Sequence, residues 1–164
     1  MEKFSIPGVG AIIEKNINGI LHILIQKRCK SINDVDYGLF EIPAGKIREY
    51  ENIFTCLRRE VFEETGLTLD YIEGEDRTEV YSDNEYKVIN YEPFSCSQNI
   101  GSKYPIMVSV FICKAGEGNL KESNESKELQ WITLKDLELL MENEHHLYPM
   151  HVSTLRKYLR YKGR

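Results

Sequence analysis

The sequence predicts an α/β protein in which helices cover the faces of a mixed β-sheet. Apolar, β-branched segments recur along the chain, one central segment repeats its apolar residues at helical spacing, and two further helical patterns follow near the C-terminus. The 164 residues are 41% hydrophobic and 29% charged, which suits one globular domain with one core. We expect that domain to span residues 1–164.

The N-terminal part begins with a predicted hairpin. Residues 8–15 and 20–28 are apolar and rich in strand-forming side chains, and Asn18-Gly19 between them is a strong turn signal. Shorter extended stretches are predicted at 39–43 and from residue 47 onward.

A helix is predicted over residues 52–65. Asn52 is a suitable N-cap, and Gly66 is well placed as the residue that ends the helix. The apolar residues of this segment recur at helical spacing and form one stripe, which consists of Phe54, Leu57 and Val61.

The C-terminal half predicts strands followed by helices. The strands are expected at 69–72, 78–81, 107–114 and 127–133. The helices are expected at 134–142 and 152–161.

Composition excludes several classes of function. A net charge of −5 and the lack of a broad basic face argue against a nucleic-acid partner. The four cysteines form no CxxC pair and lie near no histidine cluster, so we expect neither a zinc site nor disulfides, but free thiols in a reducing cytoplasm. Apolar runs near the N-terminus are short, so no membrane partner is expected.

Three acids share one face of the predicted central helix. Glu60, Glu63 and Glu64 stand at i, i+3 and i+4, where each pair of like charges costs about 0.2–0.5 kcal/mol unless a cation offsets it. Arg59 supplies part of that offset. The remaining all-oxygen charge suits Mg²⁺ or Mn²⁺. The alternative is a solvated charged helix face, but these acids lie beside the apolar stripe.

The wider pattern around these acids is specific. It has nine defined positions between residues 45 and 67: Gly45, Glu51, Arg59, Glu60, Val61, Glu63, Glu64, Gly66 and Leu67. This resembles the Nudix hydrolase signature at every defined position. The resemblance implies a Nudix α/β/α sandwich with a loop–helix–loop catalytic motif. It also implies a Mg²⁺-dependent hydrolase that cleaves the diphosphate linkage of a nucleoside diphosphate derivative.

The resemblance assigns roles to residues of the motif. Glu60, Glu63 and Glu64 would be metal ligands, with a backbone carbonyl from Gly45 or Ala44. Arg59 would orient an acid. Glu51 would brace the helix start or one of the neighbouring arginines, Arg58 and Arg59.

A further acid is expected from the loop before the late strand that contains Trp131. Glu117, Glu122, Glu125 and Glu128 are the candidates, and we select Glu125; the alternative is that all four are surface charges. In the implied reaction water attacks phosphorus, and Glu60 or Glu125 accepts its proton.

Substrate contacts are predicted at the end of the second strand and in the segment before the signature. Gln26 and Arg28 either face the phosphates or form an exposed strand-end pair. Glu41 is included with them. Aromatic residues beyond the signature either stack a base or, as we expect for most of them, pack in the core or anchor loops: Tyr81, Tyr86, Tyr91, Phe94 and Tyr104. His145-His146 is interpreted as a solvated turn.

The segment Phe-Glu-Ile-Pro-Ala-Gly at residues 40–45 is similar to that of ADP-sugar pyrophosphatases, which favours ADP-ribose or an ADP-sugar. The chain departs from ADP-ribose pyrophosphatases beyond the signature, where Ser82 and Asp83 replace an expected proline. Dinucleoside polyphosphates and dNTPs therefore remain alternatives. A non-catalytic nucleotide-sugar sensor is a further alternative, although the acid cluster is complete. Family members are often dimers, so a homodimer is a further implication.

Overall fold

The computed structural model describes residues 2–163 and is built on a long N-terminal hairpin. Strand β1 (Ile6–Ile17) pairs antiparallel with β2 (Ile20–Arg28). Asn18 and Gly19 connect them with φ values of 52° and 79°, the conformation that an Asn-Gly hairpin turn requires. The predicted hairpin is therefore confirmed.

Eight further strands and three helices follow. The strands are β3 (Phe40–Glu41), β4 (Ala44–Lys46), β5 (Leu69–Ile72), β6 (Glu79–Ser82), β7 (Lys87–Asn90), β8 (Ser95–Gln98), β9 (Ile106–Ala115) and β10 (Ser126–Thr133). The helices are α1 (Ile53–Thr65), α2 (Leu134–Met141) and α3 (Pro149–Tyr161). Short 3₁₀ turns occur at Glu75–Arg77 and Glu144–His146.

The main sheet is mixed, as predicted. Its central order is β10-β2-β1-β9-β5, with β3 paired to β2, β4 to β1 and β8 to β9. The β1–β9 pair is parallel, whereas the other pairs are antiparallel. Strands β6 and β7 form a separate two-stranded ribbon.

Both faces of the sheet are covered, because alternate side chains of the central strands enter different cores. On one face, Val9 and Leu24 pack with the apolar stripe of α1. On the other, Ile12 and Ile23 pack with α2 and α3. This arrangement confirms the α/β/α architecture.

The element predictions differ from the structure in several places. Strands β7 and β8 were not predicted, because both are short and largely exposed. Helix α3 begins at Pro149 and not at residue 152, since proline is well suited to the first turn of a helix. The extended stretch near residue 47 lies slightly earlier, at β4. Among residues 2–163, no helix is long and apolar enough to cross a membrane.

Candidate functional site

Helix α1 has well-defined ends, which determine how its acids are presented. The Asn52 side chain accepts hydrogen bonds from the N–H groups of Phe54 at 2.9 Å and Thr55 at 3.4 Å. At the other end, Gly66 has a left-handed φ of 76°, and its N–H donates to the Phe62 carbonyl. Both predicted caps are therefore confirmed.

Arg59 connects the start of the motif to its acids. Its Nε and Nη2 donate to the two carboxylate oxygens of Glu51, at 2.7 and 2.9 Å. Its Nη1 donates to Glu60 Oε1 at 2.6 Å and to Glu63 Oε2 at 3.2 Å. Hydrogen bonds from Arg59 lower the pKa of Glu51 to about 2. Glu51 thus has the bracing role that was predicted for it.

Gly45 brings the backbone of β4 directly against an acid of α1. A Cβ atom at this position would lie 1.9 Å from the carboxylate carbon of Glu60. The close approach therefore requires glycine. It places a peptide group and a carboxylate side by side, both of which offer oxygen ligands.

Glu64 is the buried acid of the motif, with only 4% of its surface exposed. Its Oε2 accepts hydrogen bonds from Gln26 Nε2 at 2.8 Å and from the Ala44 N–H at 3.1 Å. Its Oε1 has no hydrogen-bond partner among residues 2–163, and Lys30 Nζ lies 3.7 Å away. Burial, reinforced by the charge of Glu41, raises the pKa of Glu64 to about 8.

Glu41 lines the cavity but is almost fully buried, with 2% of its surface exposed. It accepts hydrogen bonds from Gln26 Nε2 at 3.4 Å and from Arg28 Nη1 at 3.3 Å. Burial raises the pKa of the Glu41 carboxyl. Gln26 is fully buried, and 15% of the Arg28 side chain is exposed. The alternative of an exposed strand-end pair is therefore wrong.

Glu125 is connected to the motif by Lys30, which contacts both Glu125 and Glu64. Lys30 Nζ lies 3.0 Å from Glu125 Oε2 and also contacts Glu64. Burial alone would lower the pKa of Lys30, but the charges of these two acids outweigh it and raise the pKa. The other three candidate acids of this region do not line the cavity.

These groups surround one cavity of about 670 Å³. All predicted site residues except Glu64 and Gln26 line it: Arg28, Glu41, Ala44, Gly45, Arg59, Glu60, Glu63 and Glu125. Glu64 and Gln26 lie just behind the lining and contact Ala44 and Glu41. The sequence motif and the distant strand residues thus meet at one place.

Several cavity residues were not predicted. Lys30, Tyr148 and His151 all line it. The Arg28 guanidinium stacks on the Tyr148 ring at 4.5 Å, and Tyr148 packs edge-on against His151. Only His151 carried a signal in the sequence, because it precedes Leu155 by four residues on the buried face of α3.

The aromatic residues beyond the signature have three different environments. Tyr81 on β6 and Tyr86 in the turn before β7 are 62% and 63% exposed, so neither packs in the core, which leaves loop anchoring or base stacking. Tyr91 and Phe94 pack against other aromatic rings, as predicted. Tyr104 lines the cavity. His145 and His146 lie in an exposed turn, also as predicted.

The donor groups suit a hard divalent cation, although they do not yet converge on one point. In the part of the chain that the structure describes, no three acidic, histidine or cysteine side chains form a closed metal cluster. Glu60 is instead paired with Arg59, and Glu64 lies near Lys30. The unpartnered, buried Glu64 Oε1 and the Gly45 peptide against Glu60 supply oxygen ligands of the type that Mg²⁺ prefers. Binding would require these acids to exchange their internal cationic partners.

Comparison with known proteins decides the family. A sequence model of the NUDIX domain matches residues 5–151. The chain belongs to the Nudix family. Nudix proteins form a family of pyrophosphohydrolases that generally use divalent metal ions.

Individual Nudix proteins resemble the chain to different extents. An 8-oxo-dGTP diphosphatase of Buchnera aphidicola is 30% identical over 129 residues, which cover 79% of this chain and 77% of that protein. Nudix hydrolase 7 of Arabidopsis thaliana is 38% identical over 69 residues, which cover 42% of this chain but only 23% of that protein.

A solved structure shows the same fold. The Nudix domain of Shewanella oneidensis NrtR, crystallised with ADP ribose, superposes with a TM-score of 0.69 and 16% identity. The match covers 99% of this chain and 91% of that domain.

Proposed function

We propose that this Nudix protein is a divalent-metal-dependent pyrophosphohydrolase that cleaves the diphosphate linkage of a nucleoside diphosphate derivative. The meeting of the α1 acids with Arg28 and Lys30 at one cavity supports this proposal most directly. A diphosphate substrate carries several negative charges, so its site needs both cation ligands and basic side chains. A complete acid cluster also favours an enzyme over a silent sensor.

Glu60, Glu63 and Glu64 would hold Mg²⁺ or Mn²⁺, together with a backbone carbonyl of Ala44 or Gly45. When bound, the cation neutralises phosphate oxygens and lowers the pKa of water. Arg59 positions Glu60 and Glu63 by donating hydrogen bonds to both. These hydrogen bonds restrict the Glu60 and Glu63 carboxylates to fewer orientations before the metal ion binds.

The remaining polar residues would bind substrate and move a proton. Arg28 and Lys30 would contact phosphate oxygens, and Gln26 and Glu41 would hold the Arg28 and Glu64 side chains in place. Either Glu60 or Glu125 would accept the proton of the attacking water. Glu125 has 57% of its side chain exposed, whereas Glu60 has only 16% exposed and is held by Arg59, so Glu125 can reorient more easily.

ADP-ribose or an ADP-sugar is the preferred substrate class. The Phe-Glu-Ile-Pro-Ala-Gly segment at residues 40–45 supports this choice, because it is similar to ADP-sugar pyrophosphatases. The structural likeness to an ADP ribose-bound Nudix domain is consistent with it. A dNTP is the second candidate, favoured by 30% identity to an 8-oxo-dGTP diphosphatase.

Product release from a substrate panel tests the proposal. The panel contains ADP-ribose, ADP-glucose, diadenosine polyphosphates, NADH and dNTPs, each with Mg²⁺ or Mn²⁺ and with the metal chelated. Wild-type protein is compared with Glu64→Gln, which removes a buried ligand, and with Glu117→Gln as an exposed control. We expect metal-dependent cleavage of one class, lost in Glu64→Gln and retained in Glu117→Gln.

Two results would contradict parts of the proposed function. Tight binding of a panel member without product release would favour the sensor. Full activity of Glu64→Gln would contradict the assigned ligand set.

A further inference from the structure

One part of the cavity lining is aromatic and apolar. It consists of Tyr104, Ile106, Val108, Tyr148 and His151, which we call the aromatic wall. Ile106 and Val108 alternate along β9 and therefore share one face of the strand. Tyr104 lies just before β9, where its carbonyl accepts a hydrogen bond from the Ile106 N–H. Val108 belongs to the same core as α3, the helix that carries His151. The wall thus joins β9 to the start of α3.

The protonation state of His151 follows from its hydrogen bond. Its Nδ1 lies 3.3 Å from the backbone nitrogen of Ile42, which can only donate. Nδ1 is therefore the acceptor, so a neutral ring carries its hydrogen on Nε2. Burial, together with the charges of Arg28 and Lys30, lowers the pKa of His151 to about 3. The ring stays neutral at physiological pH.

The hydrogen on His151 Nε2 has no partner. The side chain is 1% exposed, and Nε2 makes no hydrogen bond to any residue among 2–163. The Tyr104 hydroxyl is also buried without a partner in this range. Buried donors are normally paired, so these two unpaired groups in one cavity are available to a ligand.

The chemistry of the wall differs from that of the motif. Phosphate oxygens are best met by the charged donors Arg28 and Lys30. A donor that remains neutral, set among apolar side chains, suits an uncharged acceptor on a flat, desolvated ring. A nucleobase has this character, because it combines apolar faces with ring nitrogens and carbonyl oxygens at its edges.

The wall and the acids are fixed to one short segment. The Ile42 N–H holds His151, and the Ala44 N–H two residues later holds Glu64. Two extended residues span about 7 Å at most. The two backbone N–H groups that hold His151 and Glu64 therefore lie within about 7 Å of each other.

We propose that His151 is a specificity residue that reads the nucleobase of the substrate. Its Nε2–H donates to an uncharged ring nitrogen or carbonyl oxygen of the base, and the Tyr104 hydroxyl pairs with a second polar atom at the base edge. Ile106 and Val108 contact the face of the base. This inference rests on the proposed nucleotide substrate.

Mononucleotide binding tests the inference without turnover. Calorimetric affinities for AMP, GMP, CMP, UMP and ribose 5-phosphate are measured with Mg²⁺ present. His151→Asn keeps an acceptor near the Nδ1 position for the Ile42 N–H and removes the distal donor. His151→Gln keeps a distal donor and loses that acceptor. Tyr104→Phe removes only the hydroxyl and serves as an independent variant.

We expect wild-type protein to bind at least one mononucleotide more tightly than ribose 5-phosphate. His151→Asn should weaken that nucleotide about three- to ten-fold and leave ribose 5-phosphate unchanged, as expected for loss of one hydrogen bond. His151→Gln should restore part of the difference. Tyr104→Phe should also weaken the nucleotide alone.

Three results would overturn base reading: equal weakening of all ligands by His151→Asn, unchanged affinities in both His151→Asn and Tyr104→Phe, or no preference of wild-type protein for nucleotides over ribose 5-phosphate. The hydrolysis panel is judged separately. Base-selective binding without hydrolysis would support base recognition by His151 and contradict the proposed hydrolase activity. Hydrolysis without base selectivity would support the hydrolase activity and contradict base recognition.

Discussion

At Gly45 a single hydrogen atom separates the backbone from the Glu60 carboxylate. Gly45→Ala would place a Cβ 1.9 Å from Glu60 Cδ, so the carboxylate or the strand must move. We expect a loss of about 100-fold in kcat/KM, since a displacement of about 1 Å at a catalytic group has effects of this size. Calorimetric Mg²⁺ affinity should fall as well. Gly101→Ala is the control, because its nearest neighbour is the Asn99 side-chain oxygen at 3.3 Å, so a Cβ there requires a shift of only a few tenths of an ångström.

Glu64 makes the stability of the metal-free protein depend on pH. Its folded pKa of about 8 lies above the ordinary value of 4.5, so between these values the folded state retains a proton that the unfolded state has lost. Stability should therefore fall as pH rises through this window, by at most about 1.4 kcal/mol per pH unit. Glu64→Gln lacks this titration.

Thermal melting of wild-type protein and Glu64→Gln at pH 5, 6.5 and 8, with metal chelated, measures the effect. The Tm of wild-type protein should decrease relative to that of the variant as pH rises. Parallel Tm values across the series would show that Glu64 titrates normally. Because metal requires the deprotonated carboxylate, Mg²⁺ affinity should increase over the same range.

At the scale of elements, the contribution of the Asn52 N-cap to the free energy of unfolding can be measured by itself. Asn52→Ala removes the acceptor of the Phe54 and Thr55 N–H groups and should cost about 1 kcal/mol in the free energy of unfolding. Asn52→Asp retains an acceptor and should stay near wild type. Urea denaturation compares the three proteins, and equal losses in both variants would exclude capping as the cause.

The elements that sequence predicted correctly are those with local signals. Asn18-Gly19 specifies its turn, and Asn52 and Gly66 define the ends of α1. Strands β7 and β8 are short and polar or exposed, so their pairing depends on partners that no local pattern reveals. The parallel pairing of β1 with β9 joins residues that are far apart in the sequence, so no local pattern predicts it either.

At the scale of the whole molecule, a hydrogen bond and an ion pair hold α3 against β1. Tyr158 OH donates to Glu14 Oε1 at 2.7 Å, and Lys162 Nζ contacts the same oxygen. Tyr158→Phe should destabilise the fold by about 1–3 kcal/mol, because it removes a donor to a carboxylate that is only 11% exposed. Tyr161→Phe, at a 56% exposed ring, is the matched control. Urea denaturation should give a lower free energy of unfolding for Tyr158→Phe than for Tyr161→Phe. Equal values would show that the Tyr158–Glu14 hydrogen bond does not stabilise the fold.

The site combines one local motif with residues from the rest of the chain. The spacing of Glu60, Glu63 and Glu64 was sufficient to predict their shared face, since helical geometry is regular. Lys30 and His151 reach the same cavity from a loop and from α3, and their positions depend on the tertiary fold. The α1 acids and Arg28 were therefore accessible from sequence, whereas Tyr104 was the only candidate that sequence offered from the aromatic wall.

The parallel pair at the centre of the sheet also affects how the chain folds. Ile6 pairs with Ile106 and Glu14 with Lys114, so this contact closes a loop of about 100 residues. Contacts between such distant residues slow folding, because the entropy of closure is lost before the contact stabilises the chain. The segment inside that loop contains α1 and β4, and β4 pairs with β1. Catalytic competence should therefore emerge late in refolding, when the two central strands have met.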